Sequence, residues 1–405
     1  MNMTKLLGKR EFRNFFLADI ISGFGVGLTT VGANWYMLQS THSNKLVGMY
    51  LTVNVLAGFL MSPFAGSLTD KFPRKQVILW TFLGRALPMI LIAGVIGYAG
   101  FNLWAMYGLA ILTGAGWITY MAASRSYVQA ILPTELLGTA NSFIEVSLQV
   151  GIFAAGAISG IILNYTGFMT ILIINISMFL VAVLLVTAIK ADLPINVRKE
   201  ENEVSTSFFN GLEYILKHKT ILSMGVISIL PLIVTQLFNV SSPDYVSTIL
   251  KANSVVYGFA DMGYGIGGLV AGLITGYLIN RFKNKNIIVG FFALATIGLL
   301  TLYLTHLISV TYVCTFSLGL SNSALRVVIN TVLMKRVDKQ FMGRATSIWN
   351  GTAQLIEVFA ATLMGVANDK FGANIGFLWM AMIMLIGAAW SFVMLNVTKL
   401  RSKQV

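Results

Sequence analysis

Charge is what this sequence has least of. Only 11% of its 405 residues are Asp, Glu, Lys or Arg, against about 25% in soluble globular chains. A water-soluble fold of this length needs far more polar surface. With 56% hydrophobic residues and a mean hydropathy of +0.78, the chain reads as an integral membrane protein. Cysteine is nearly absent as well. Cys314 stands alone, which excludes a disulfide framework and a thiolate zinc site. Histidine is limited to His42, His218 and His306, too scattered for a metal cluster. Connections are short except at about 190–219, which leaves no room for a soluble domain, so an ATP-driven pump would need its nucleotide-binding domain on another chain. No cofactor is implied. The stretch GYGIGG (263–268) satisfies G-x-G-x-x-G but lacks the preceding strand and βαβ unit of a dinucleotide site. In an apolar helix such glycines let neighbours approach closely.

Long apolar runs are what the chain has in abundance. Windows of about 20 apolar residues fall at 13–38, 46–69, 76–98, 102–123, 140–163, 167–189, 220–240, 255–279, 286–307, 310–333, 345–367 and 374–396. They predict an all-α integral membrane fold of twelve spans. The start, MNMTKLLGKREFRNFFLADIISG, resembles the charged head and apolar stretch of a signal peptide. No small-residue cleavage site closes it and the run continues to a full span, so it reads as helix 1. The net charge of +13 invites a nucleic-acid partner, but its placement argues otherwise. Of 28 Lys and Arg, 23 fall in the tails, the central loop and the even-numbered turns, and only Lys45, Lys251 and Lys370 fall in the others. Arg85 and Arg326 lie inside spans. This asymmetry follows the positive-inside rule. It predicts a multi-pass protein of the cell membrane with both termini cytoplasmic, lipid as its surroundings and no nucleic-acid partner.

The sequence also repeats itself. GSLTDKFPRK (66–75) is echoed by GYLINRFKNK (276–285), and VGMYLTVNVLAG (47–58) lines up with YGFADMGYGIGG (257–268), both at an offset of 210. Further on, an offset of 205 pairs Gly138 with Gly343, Ala140 with Ala345, Ser142 with Ser347, Gln149 with Gln354, Gly160 with Gly365 and Gly167 with Gly372. Two six-helix bundles, 1–189 and 220–405, are predicted around a polar linker, 190–219, whose segment FFNGLEYILKHK (208–219) has the pattern of a helix lying along the cytoplasmic interface. Because six is even, the copies share one orientation. That is the parallel-repeat plan of secondary transporters, with the substrate near the midplane.

GSLTDKFPRK resembles the signature between helices 2 and 3 of the major facilitator superfamily, G-x-x-x-D-[RK]-x-x-[RK]-[RK]. Three further stretches are similar to its twelve-span drug:proton antiporter branch containing macrolide and siderophore exporters. They are ILPTELLGTANSF, FFNGLEYILKHK and GLSNSALRVVINTVLMKRVDKQFMGRATSI. The exporter signature of helix 5 is present only as GIFAAGAISG (151–160), without its proline. By this resemblance Gly66, Asp70, Lys71, Arg74 and Lys75 form a gating motif. Gly66 would allow close helix contact, Pro73 would break the chain before helix 3, and the three cations would anchor topology. Asp70 would lock the halves against the N-terminal end of helix 11 or a nearby arginine. The second copy has Asn280 there, a weaker lock.

An ionisable group in hydrocarbon costs roughly 2.5–3.5 kcal/mol on the insertion scale and is a functional candidate by default. Asp19 and Arg85 lie at similar depth on helices 1 and 3, as a structural pair or as coupling groups. Asn141, Glu145 and Gln149 share one face of helix 5 at i, i+4, i+8. Thr346, Asn350 and Gln354 repeat that stripe on helix 11, with Glu357 about a turn further. Glu145 stands where the second copy has neutral Asn350, so the duplicated fold alone does not account for it. Arg125 and Arg326 align if four residues are inserted later in the second copy, and either cation could partner Glu145 or Glu357. Asp261 is expected near the outer end of helix 8, solvated at the interface.

Together these features predict a non-enzymatic secondary transporter working by alternating access, most simply as a monomer. The resemblance implies proton-coupled export of a small amphipathic or metal-chelating molecule, with protons carried by Glu145 and Asp19. A nutrient uniporter or symporter and a lipid or glycolipid flippase share the architecture. A membrane enzyme or sensor is the remote alternative, because no Ser/His pair or metal cluster supplies a catalytic set.

Overall fold

The computed structural model describes residues 8–132, 134–189 and 212–401; within helices, the side chains of Asp70, Asn141, Glu145, Gln149 and several others lie outside this description. Among the described residues every regular element is helical, as expected where a bilayer offers backbone N–H and C=O groups no water. In chain order these are α1 (Arg10–Thr41), α2 (Asn44–Lys71), α3 (Arg74–Ala99), α4 (Leu103–Ile131), α5 (Thr134–Tyr165) and α6 (Phe168–Thr187). Then follow α7 (Lys219–Asp244), α8 (Ser254–Arg281), α9 (Asn284–Leu304), α10 (Ile308–Arg336), α11 (Lys339–Phe371) and α12 (Ala373–Arg401). A π-helical turn, Tyr245–Ile249, extends α7 beyond Pro243. Among the described residues nine helices are long and apolar enough to cross a membrane; α4, α5 and α11 are not among them. Each of the twelve predicted runs overlaps one of the helices α1 to α12.

The connections follow local chemistry. Ser43 caps α2 by accepting from the Leu46 N–H, and Asn102 caps α4 by accepting from Ala105 at 2.9 Å. Pro73, with φ −54°, separates α2 from α3 as expected. Gly167 and Gly372, paired by the repeat, sit just before α6 and α12 at φ 83° and 90°, a region that glycine enters without steric penalty.

The helix ends also explain why the repeat has two offsets. α2 and α8 start at residues 44 and 254, and α3 and α9 at 74 and 284, both 210 apart. α3 has 26 residues and α9 has 21, a difference of five, and every later pair starts 205 apart. The second copy is therefore shortened at the α9 end. α4 and α10 each have 29 residues with ends at the same offset. Arg125 thus corresponds to Asn330 (330 − 125 = 205), and Arg326 stands one turn earlier. The alignment of the two arginines by a four-residue insertion is corrected, because two equal helices leave no room for it.

The chain falls into two compact units, Met1–Lys199 with Asn253–Met262, and Glu200–Ala252 with Gly263–Val405. In the first, α1 packs on α5 and α6, α2 on α4, and α3 on α4 and α6. In the second, α7 packs on α11 and α12, and α9 on α10 and α12. Glycine sets the closest approaches. A Cβ added at Gly114 would fall 2.9 Å from the carbonyl carbon of Asn54. One added at Gly319 would fall 2.6 Å from that of Tyr264. The two glycines are 205 apart and their partners 210 apart, so one contact is built twice. Gly66 does not match the expectation of close contact: nothing lies within 4 Å of an added Cβ there, nor at Gly276.

Substituting Gly114→Leu or Gly319→Leu should each destabilise by about 1–3 kcal/mol through overpacking. Gly66→Ala should be neutral or stabilising by about 0.5–1 kcal/mol through helix propensity. Thermal unfolding in detergent checks this, and a wild-type midpoint for Gly114→Leu would contradict the close-contact reading.

Candidate functional site

The strongest concentration of buried charge lies inside the first unit. Asp19, on α1, is 1% exposed, and its carboxylate accepts a hydrogen bond from the Tyr120 hydroxyl of α4. Ser22, one turn on, donates to the Asp19 backbone carbonyl at 3.0 Å. Arg85 of α3 is 2% exposed. Its guanidinium carbon lies 4.4 Å from the ring centroid of Phe179 on α6, a cation–π contact strengthened by desolvation. Tyr120 lies within electrostatic reach of both Asp19 and Arg85. Phe82 fills the space between, with ring centroids 5.1 Å from Tyr120 and 6.1 Å from Phe179. Asp19 is nine residues into α1 and Arg85 eleven into α3, about 14 and 16 Å at 1.5 Å per residue. The two charges expected at similar depth thus converge on one tyrosine.

Tyr120 was not singled out in the sequence, since it sits in an apolar run without a charge. The signal that would have found it is the difference between the copies. At the observed offsets Arg85 corresponds to Ala295, Tyr120 to Leu325 and Phe179 to Met384. The cluster is built in one copy only.

Asp261 is a second correction in kind. It lies seven residues into α8 and is half-buried, and a Cβ at Gly156 would fall 2.6 Å from its Oδ2. One turn earlier, Tyr257 stacks on Trp35 with centroids 5.4 Å apart and bonds to the side chain of Asn34. Ser254 donates to the Gly160 carbonyl at 2.8 Å. Gly156 and Gly160, from the proline-free helix 5 signature, are therefore seats for the start of α8. Interfacial solvation alone does not describe Asp261.

In the second unit, Arg326 is exposed yet lies within electrostatic reach of the half-buried Glu357, so the structure brings this candidate pair together. Of the helix 11 stripe, Asn350 is exposed and Gln354 half-buried. Asn141, Glu145 and Gln149 lie on α5 with side chains outside the described set, and Arg125 is exposed. A neutral cluster joins three helices: Asn322 donates to Thr235 and to the Tyr264 hydroxyl, both at 3.1 Å. In the first unit Asn54, which corresponds to Tyr264, donates to Thr113 at 2.7 Å and to the Ala110 carbonyl at 3.1 Å.

The charged turn is partly assigned. Lys75 donates to the Ile189 carbonyl at 2.5 Å, just beyond the end of α6, where a cation complements the helix dipole. Lys71 is exposed and Arg74 half-buried, while the Asp70 side chain lies outside the described set. In the linker, residues 212–217 are helical. Tyr214 stacks on Phe341 with centroids 4.3 Å apart, and its hydroxyl accepts from the Asp338 N–H at 3.2 Å. Lys217, bonded to Glu213 at 2.6 Å, holds that exposed carboxyl below its ordinary range.

Comparisons with known proteins agree with this architecture. Residues 15–238 and 224–404 match the sequence profile of the Major Facilitator Superfamily. The staphyloferrin A transporter of Staphylococcus aureus is 22% identical over 370 residues, covering 88% of this chain and 89% of that protein. The enterobactin exporter EntS of Shigella boydii is 22% identical over 377 residues, covering 90% and 87%. The crystal structure of the nucleoside transporter NupG superposes with a TM-score of 0.74 at 15% identity, covering 96% and 99%; it shares the fold.

Removing the Tyr120 hydroxyl should matter more than its small volume implies, because a hydrogen bond to a charged group contributes about 1.5–3 kcal/mol. Tyr120→Phe is expected to lower the transport rate about tenfold or more, with helix content unchanged. A wild-type rate would reduce the contact to packing.

Proposed function

We propose that this chain, which belongs to the Major Facilitator Superfamily, is a proton-coupled exporter of a small amphipathic or metal-chelating organic molecule. Its class is secure at a coarser level: it is a multi-pass secondary transporter of small molecules and not an enzyme. The observation that carries the finer reading is a carboxyl group, Asp19, buried in a membrane-spanning helix and hydrogen-bonded to Tyr120. A buried acid with a protic partner suits a site that binds and releases one proton per cycle. Glu145, likewise present in one copy only, is assigned the second proton step.

In this account two six-helix bundles, 1–189 and 220–405, joined by the 190–219 linker, expose a central site alternately to each side of the cell membrane. Both termini are cytoplasmic and the monomer is the working unit. Glu145 and Asp19 load protons from outside as substrate leaves, and Asn141, Gln149, Asn350 and Gln354 line the path. Arg326 balances Glu357 in the second copy. Asp70 closes the cytoplasmic side through the charged turn that Lys71, Arg74 and Lys75 hold at the interface. The siderophore-handling relatives support a chelating or amphipathic substrate.

Purified protein in liposomes tests the coupling. An imposed proton gradient should drive a fluorescent amphipathic dye uphill, and Asp19→Asn and Glu145→Gln should each abolish that movement. Intact gradient-driven transport in both variants would overturn the assignment. Substrate accumulation inside expressing cells would favour an importer, and lipid scrambling a flippase. Asp70→Asn should slow transport and leave substrate binding in place, so lost binding would count against its role as a gate.

A further inference from the structure

A cavity of about 270 Å³ lies in the first unit between α2, α3 and α4, with Arg85 in its wall. By volume it would hold about nine waters, but its walls are mainly apolar. Met61 and Leu68 come from α2, Trp80 from α3, and Ile111 and Leu112 from α4. Trp80 is 49% and Ile111 50% exposed. In a membrane-spanning chain such exposed apolar side chains face lipid, so the cavity opens sideways into the bilayer. Its two threonine hydroxyls are already committed to their own helices: Thr81 bonds Val77 at 2.7 Å and Thr119 bonds Ala115 at 2.8 Å.

The charged group in the wall is Arg85. Its Nε and Nη2 are buried without a hydrogen-bond acceptor. These two nitrogens form one side edge of the guanidinium, the fork that matches a carboxylate or phosphate with two parallel hydrogen bonds. The Arg85 stem runs past Gly116, also in the wall, where an added Cβ would fall 2.5 Å from Cδ and 2.8 Å from Cγ. A missing side chain at 116 therefore leaves room for the arginine to lie along the cavity wall. An orphaned guanidinium edge at this depth is costly unless an acceptor reaches it.

We infer that this cavity binds a single-chain oxyanionic amphiphile from the bilayer, its chain among Met61, Trp80 and Ile111 and its carboxylate or phosphate on the guanidinium of Arg85, which turns its unpaired nitrogens to the ligand. Neither the direction of transport nor the proton role of Asp19 enters this assignment. The site lies on the lipid-facing flank, and its occupant reaches it laterally.

Quenching of tryptophan fluorescence by a dibrominated fatty acid, with protein in neutral-lipid nanodiscs, tests this. Quenching should saturate, and Trp80→Phe should remove most of the saturable part. Oleate should compete, while oleyl alcohol, with the same chain and no oxyanion, should be weaker by about tenfold or more. Inorganic phosphate should not compete, whereas displacement by phosphate would identify a soluble oxyanion and overturn the amphiphile. Arg85→Lys, which keeps the charge and loses the fork, should weaken oleate about tenfold. Equal competition by oleate and oleyl alcohol on wild-type protein would also overturn the proposal, and it needs no variant to fold.

Discussion

The polar groups within the membrane-spanning helices face one constraint. A bilayer interior offers neither water nor any other partner to a hydrogen-bonding group. Backbone groups meet it by forming long helices. Side chains meet it by finding one another: Asn54 with Thr113, Asn322 with Thr235 and Tyr264, and Asp19 with Tyr120. Threonines and serines elsewhere mostly bond back to the carbonyl three or four residues earlier, as Thr81 and Thr275 do.

Duplication turns that constraint into a filter. Features required by the fold recur in both copies: the Gly114 and Gly319 contacts, and the positive φ of Gly167 and Gly372. Arg85, Tyr120 and Phe179 have Ala295, Leu325 and Met384 as counterparts, so at these positions the second copy packs apolar side chains. A group that the fold can do without in one half, at an unfavourable depth in the other, marks chemistry specific to that half. The same logic separates the two acids of the helix pairs, since Glu357 corresponds to Ile152 and Asp261 to Leu51.

Much of this was legible in the sequence because apolar runs and turn chemistry act locally. Helix positions followed from hydropathy, the break at Pro73 from its ring, and the two offsets from aligned glycines. What was not legible depends on helix rotation and on partners far along the chain. Tyr120 gains meaning only from Asp19, 101 residues away. Gly66 carries a motif yet faces nothing within 4 Å, so its identity does not come from packing. Arg326 was placed by an alignment that equal helix lengths exclude, and it still reaches Glu357. Lys75 read as a topology anchor and proves also to hold the end of α6.

The central claim is that Asp19 binds an exchangeable proton under the control of Tyr120. Infrared difference spectroscopy of the protein in lipid, recorded as pH is stepped down, observes this directly through the C=O stretch of protonated carboxyl groups. The account predicts a pH-dependent band that is absent in Asp19→Asn and shifted in Tyr120→Phe. An unchanged carboxyl spectrum in Asp19→Asn would contradict it.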